Sequence, residues 1–393
     1  MWTLIGDPDR AGPALEQCLE LARELGDDSW AARALDVMGL LAFFANDAKS
    51  RELFEESIRL ARAAGDEWCL TDCLGTIGSI YPLQGEPEKA ESAGLEALEL
   101  ARRAGDQQGL RMALFGLGLA AYRRGDLSPA RVYADQGLAV ARGLDDSWFI
   151  PYFLWVLATV ETDAGGHGVA EAAAGECLRL ARELGAPMML VCGLDAAAAC
   201  ARCAGNDEAA IALLLEAESI AEAGPVPWSY VCSALTALAL VQAQSGDQTE
   251  AAARLQRSLE LAEQAGDPWA EGRALDGRGM LASARNDHAA AEQDAADALA
   301  LQLRLGDQVG AAASMGIIAI AAAGLGDLDR AARLCTASDA VRDRVGAVVP
   351  PWAAPRRAEL VTRVRGSVGA ARYEQLITER GGMSFSDMVR SAG

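Results

Sequence analysis

The phrase running from Leu60 to Trp68, LARAAGDEW, returns nearly unchanged from Leu261 to Trp269 as LAEQAGDPW, and in shorter form in the stretch that ends at Trp30. Its turn marker stands at Gly26, Gly65, Gly105, Asp145, Gly185, Gly224, Gly266, Gly306 and Gly346, a spacing of about 40 residues. A second series lies half a period out of phase, at Asn46, Gly85, Gly125, Gly165, Gly205, Gly246, Asn286 and Gly326. Gly and Asn tolerate the left-handed conformation that closes a helix, and an Asp behind them can cap the next one with its carboxylate. Two such signals per period predict two helices per repeat. A unit of two short helices cannot bury its apolar face alone, so neighbouring units must stack and the chain must grow as a solenoid.

The segments between markers are about 17 residues long and carry apolar residues at helical spacing, as in Leu95, Leu98 and Ala101 or Leu255, Leu259 and Ala262. Ser128-Pro129 reads as a capping hydroxyl followed by proline in the first helical position, and Pro187 and Pro268 lie near helix starts. Half of the chain is hydrophobic but only 5% is aromatic, and the apolar load is mostly Ala and Leu, strong helix formers. The fold expected is all-α. The length of 393 residues does not count domains, because a solenoid extends without limit from a single core.

A formal net charge of −21 argues against nucleic acid as a direct partner, since a polyanion is repelled. The charge is uneven: from Arg330 onward eleven arginines face six acids, net +5, against −26 for the preceding residues. The N-terminus lacks the basic start and apolar core of a signal peptide, and Val309 to Leu325 falls short of the run of about 20 residues that spans a bilayer. These features predict a cytoplasmic chain with no membrane partner. Nine cysteines scattered through helical sequence fit reduced thiols.

Within each period the first helix carries a small residue at mid-length, at Gly39, Gly78 and Gly118, and the second an early alanine, at Ala90, Ala130 and Ala210. This pattern resembles the tetratricopeptide repeat in a longer, 40-residue form. The resemblance implies a right-handed superhelical solenoid of about eight helix pairs with a concave groove lined by the first helices. Trp30, Trp68, Trp148, Trp228 and Trp269 share one early position of the first helix, where a large ring is expected to wedge against the preceding helix.

The organisation expected is a partial leading repeat over residues 1–26 with its second helix alone, a solenoid over 27–346, and a helical C-terminal cap over 347–393. Gly6-Asp7 is in phase with the turns inside later repeats, and the expectation is a piece of a longer protein or a truncated relative of one. After Val345 the chain reads as a Pro-Pro-Trp break, then helices near Ala354 to Arg365, Val368 to Arg380 and Phe385 to Val389. This tail, from AARLCTASDAVRDRVG to GAARYEQLITERGGMSFSDMV, is similar to the segment that closes the repeat region of large ATP-binding bacterial regulators of the LuxR type. Neither a G-x-x-x-x-G-K-[ST] phosphate loop nor a recognisable C-terminal helix-turn-helix is in the sequence, so ATP hydrolysis and DNA reading are not expected of it.

Carrying the repeat positions onto this sequence places Arg33, Asp36, Phe115, Tyr122, Tyr152, Trp155, Asp195, Arg202, Arg273 and Asp276 on the groove face. Phe115, Tyr122, Tyr152 and Trp155 belong to a local aromatic cluster and either pack a core or form an apolar wall for a ligand. Arg33 with Asp36, and Arg273 with Asp276, are three apart and either pair with each other or offer charged stations to a ligand. Cys200-x-x-Cys203, with Cys192 on the same segment, lacks ligands converging from elsewhere, and no metal or other cofactor is expected. No catalytic constellation stands out. The expectation is a non-catalytic region of a bacterial transcriptional regulator, taking a protein, peptide or small-molecule effector in its groove and responding by a change of curvature. The competing reading is a free-standing adaptor between proteins; a homodimer is compatible with either.

Overall fold

The protein is described by a computed structural model over residues 8–380 and 383–390, so Gly6-Asp7 lies outside the described residues. The described residues hold twenty α-helices and no strand. Helix α1 (Pro8–Leu25) precedes four pairs: α2 (Asp28–Phe44) with α3 (Ser50–Ala64), α4 (Glu67–Ile80) with α5 (Pro87–Ala104), α6 (Gln107–Arg123) with α7 (Leu127–Gly143), and α8 (Ile150–Ala164) with α9 (His167–Leu184). Four more follow: α10 (Pro187–Cys203) with α11 (Asp207–Ala223), α12 (Trp228–Ser245) with α13 (Gln248–Ala265), α14 (Pro268–Ala284) with α15 (His288–Leu305), and α16 (Gln308–Leu325) with α17 (Leu328–Val345). Helices α18 (Ala354–Val368), α19 (Ala370–Arg380) and α20 (Phe385–Arg390) complete the chain. From α1 to α19 each helix packs on its chain neighbours, α20 packs on α17, and the first helix of a pair also packs on the first helix of the next.

The turn chemistry explains this regularity. All eight markers inside repeats adopt positive φ, from 57° at Asn46 to 99° at Gly246, as do the markers between repeats except Gly224. Gly224 sits at φ −132° because Pro225 biases the residue before it toward extended backbone. Carboxylates of Asp27, Asp66, Asp247, Asp267, Asp287, Asp307 and Asp327 then accept N–H groups of the following first turn. The expected Ser128 cap is corrected: α7 starts at Leu127 behind Asp126, whose carboxylate instead accepts from Gln308 Nε2 at 3.0 Å. In the second repeat Pro82 cannot donate to the helical ladder, and α4 ends in the 3-10 turn Tyr81–Gln84.

Small residues bring paired helices together. A Cβ at Gly78 would stand 3.7 Å from the Ala90 carbonyl oxygen, and one at Gly118 3.9 Å from that of Ala130, the two alanines marked in the sequence. Serines on second helices staple three of the pairs: Ser57 Oγ donates to the Ala32 carbonyl at 2.6 Å, Ser258 to Cys232 at 3.1 Å and Ser338 to Ala312 at 2.6 Å. Leu98 and Ala101 are buried, but Leu95 faces outward. Of the repeated tryptophans, Trp148, Trp228 and Trp269 are half-buried, whereas Trp30 and Trp68 are 57% and 50% exposed and do not wedge into the fold. Helix α16 is apolar enough to resemble a membrane span by length and composition, but 67% of it is buried among its neighbours, as a core helix is.

The solenoid winds tightly enough for successive turns to touch. Asn46 Oδ1 accepts from the Trp228 backbone N–H at 2.8 Å, the Gln308 N–H donates to the Arg124 carbonyl at 3.0 Å, and the Val348 N–H to the Asp163 carbonyl at 2.8 Å. Each contact joins a turn inside one repeat to a segment about 180 residues later, so one superhelical turn takes between four and five repeats. The basic C-terminal helices pack on the end of the solenoid. Arg357 pairs with Asp339 at 2.6 Å, and Arg363 donates to the Ala323 carbonyl at 2.9 Å.

Candidate functional site

Because the first helices line the inside of a tight superhelix, their inward residues converge on a central cavity of about 400 Å³. Helices α6, α8, α10, α12, α14, α16 and α17 contribute to it. The segment after α17 closes one end. There the Trp352 ring lies 3.7 Å from the Arg202 guanidinium, and the Val348 N–H is tied to α8 through the Asp163 carbonyl.

Five of the ten residues marked in the sequence meet in this cavity: Tyr122, Asp195, Arg202, Arg273 and Asp276. Tyr122 lies 6.2 Å from Trp269, ring to ring. Arg202 is buried and donates to Gln244 Oε1 at 3.0 Å. Asp276 does not pair with Arg273 as its spacing allowed; it accepts from Gln302 Nε2 at 2.7 Å and Ser314 Oγ at 2.6 Å. Arg273 stacks on Trp269, 5.5 Å from the ring centroid.

The other five lie elsewhere. Arg33 bonds Asp66 at 2.8 Å rather than Asp36, with its guanidinium between the Trp30 and Trp68 rings at 5.5 and 4.9 Å. Asp36 is buried, and burial first, then Asp72, pushes its carboxyl well above the usual range. Phe115, Tyr152 and Trp155 are core residues: Phe115 meets Tyr152 edge-on at 5.2 Å and Trp155 meets Tyr230 at 5.6 Å. These three pack between repeats, and of that cluster Tyr122 lines the cavity.

The cavity's electrostatics follow from its depth. Burial raises the Asp276 carboxyl to about 7 and the Asp195 carboxyl to about 6, with Arg273 opposing in both cases. Burial also raises Asp163, against the pull of Arg273 and Arg342. Arg202 is lowered to about 10 by loss of solvent. Asp163, Arg342 and Trp352 were missed as site residues. Asp163 ends α8, and the other two belong to a stretch whose return over the groove has no local sequence signal. Among the described residues no group of three or more His, Cys, Asp or Glu side chains is placed to hold a metal ion, and Cys192, Cys200 and Cys203 are free thiols. The arrangement offers binding groups around an apolar-lined hollow.

The tetratricopeptide-repeat family model matches residues 70–143, and the model for anaphase-promoting complex subunit 5 matches residues 1–38, 29–83, 136–195 and 203–270. No curated protein matches significantly. Among solved structures, a Rap protein complexed with competence and sporulation factor is similar over 88% of this chain and 96% of its own, with a TM-score of 0.65 and 15% identity. A signal transduction ATPase with numerous domains and a tetratricopeptide-repeat sensor, from Pyrococcus horikoshii, is similar over 90% of this chain with a TM-score of 0.52 and 12% identity. This chain covers 52% of that ATPase. At these identities the likeness is one of fold. Helix pairs, turn chemistry and the matched repeat model agree that the chain is built of tetratricopeptide-type repeats.

Proposed function

We propose that this chain is the effector-binding region of a bacterial transcriptional regulator resembling the large LuxR type, and that a small molecule in the central cavity sets the curvature of the superhelix. The observation that carries the reading is the cavity itself. Its volume of about 400 Å³ falls in the range of small-molecule sites, and it mixes apolar walls with a few polar groups. It lies where the first helices of successive repeats meet, so an occupant that contacts several repeats favours one curvature over another. The Pyrococcus ATPase carries its repeats as a sensor, and the Rap protein was solved with a factor bound, which agrees with binding on this fold. Free thiols at all nine cysteines fit a reducing cytoplasm.

The adaptor reading is favoured by one feature, the exposed Trp30 and Trp68 rings around Arg33, a surface that a protein partner would cover. Thermal unfolding in the presence of a metabolite library separates the two. An effector that binds the folded state raises the melting temperature by mass action. A library without a stabilising compound, together with a protein partner lost on Trp68→Ala, would move the adaptor reading ahead.

A further inference from the structure

Arg273 faces the cavity and is partly exposed there; no hydrogen bond or ion pair joins it to a described residue, and its contacts are the Trp269 ring and the more distant field of Tyr122, Asp163, Asp307 and Asp276. Burial acts to lower its pKa, and that field raises it against the effect of burial. Arg342 lines the same cavity with its Nε buried and unpartnered and its Nη1 only 3.4 Å from the Val348 carbonyl. The two guanidiniums feel each other, and both act on Asp163. A guanidinium that faces a cavity gains most from an acceptor bonded to its N–H groups, and no described protein group supplies one for Arg273. The carboxyls around it do not fill that role. Asp276 is engaged by Gln302 and Ser314, and burial makes the charged form of each cavity aspartate harder to hold.

The rest of the lining is more apolar. Met280, Ile317 and Ile320 belong to it, and the Trp352 ring stands at the closed end. We propose that the cavity takes a small organic anion, a carboxylate or phosphate ester on a compact apolar body, whose charged group is held by Arg273 and Arg342. This rests on the small-effector reading above and names the chemistry that the effector carries. The guanidinium fork suits a planar or tetrahedral oxyanion, which accepts two parallel N–H bonds.

The test pairs each anion with an uncharged counterpart: benzoate with benzamide, indole-3-acetate with indole-3-acetamide, and phenyl phosphate with phenol. Thermal unfolding and calorimetric titration are read on the whole chain and on Arg273→Met. The expected result is stabilisation by at least one anion and not by its partner, with affinity falling about 10- to 100-fold in Arg273→Met, as for a lost hydrogen bond to a charged group. Without ligand, Arg273→Met also takes the cation away from Trp269 and the buried carboxyls, so ligand-induced shifts are read against the variant's own unliganded melting temperature. Arg342→Met provides the same reading should Arg273→Met fail to fold. Equal stabilisation by charged and neutral partners, or anion binding that survives both substitutions, overturns the inference while leaving the small-effector reading in place. Silence from all six probes and from the wider library removes both.

Discussion

Arg123 and Asp267, 144 residues apart, form a buried ion pair: Nη1 of Arg123 lies 2.8 and 3.0 Å from the two carboxylate oxygens, and the guanidinium covers Trp269 at 4.4 Å. The pair fastens the end of α6 to the start of α14 across adjoining turns of the superhelix. Removing one member strands the other's charge, so Arg123→Ala should cost about 3–5 kcal/mol. Asp267→Asn keeps an acceptor for the Trp269 and Ala270 N–H groups and should cost less. Urea unfolding checks this. A loss for Arg123→Ala no larger than for the surface residue Arg62 would show that the pair does not hold the turns together.

The buried carboxyls make stability depend on pH with an unusual sign. Burial raises Asp276 to about 7 and Asp195 and Asp307 to about 6 in the folded chain, against about 4 when unfolded. Between those values the unfolded chain releases protons that the folded chain keeps. Their contribution is therefore complete below about pH 4 and declines as pH rises through 6 and 7, at about 1.4 kcal/mol per unit of difference. Asp66 runs the other way: burial opposes its charge, but the Cys69 N–H, Ser29 and Arg33 hold it at about 2, so its contribution is lost only as pH falls from about 4 toward 2. The chain should resist urea better at pH 5 than at pH 7.5, and Asp276→Asn should flatten that difference. A chain more stable at pH 7.5 than at pH 5 would contradict this assignment.

Two glycines test the packing from opposite sides. A Cβ on Gly137 would overlap the Phe153 ring of the next repeat, which is 1% exposed and has nowhere to move. Gly137→Ala should destabilise by about 1–3 kcal/mol. Gly175, inside α9, faces open space, and Gly175→Ala should stabilise by about 0.5–1 kcal/mol by removing backbone freedom from the unfolded chain. Melting temperatures of the two variants should move in opposite directions. A shared direction would mean that α7 and α8 do not meet at Gly137.

The helix pairs were legible because each is specified locally: a left-handed residue, an aspartate cap and two amphipathic helices repeat every 40 residues. The three C-terminal helices followed from the same kind of local pattern. What the sequence did not disclose is what touches across a full superhelical turn. Arg123 reads as one of several helix-end arginines, and nothing near it points to Asp267. The site was half legible for the same reason. Repeat phase marks Tyr122, Asp195, Arg202, Arg273 and Asp276 as inward, but the same phase marks Phe115, Tyr152 and Trp155, which neighbouring first helices bury before they reach the hollow. Trp352, outside the repeat, had no phase to read.

The seam offers a direct test of curvature as the response. Asn46 bonds the Trp228 N–H and Gln308 Nε2 bonds Asp126, each joining successive turns, and each is worth about 0.5–1.5 kcal/mol. In a solenoid, small rotations between repeats accumulate over the length, so loosening both contacts should open the superhelix without unfolding any repeat. Asn46→Ala combined with Gln308→Ala should raise the radius of gyration in small-angle scattering while helicity by circular dichroism stays unchanged. A saturating cavity ligand should return the profile toward that of the parent, because it contacts repeats on both sides of the seam and gains affinity only when they are close. If the double variant scatters like the parent, packing such as Gly85 against Pro268 holds the turns, and the polar seam does not set curvature.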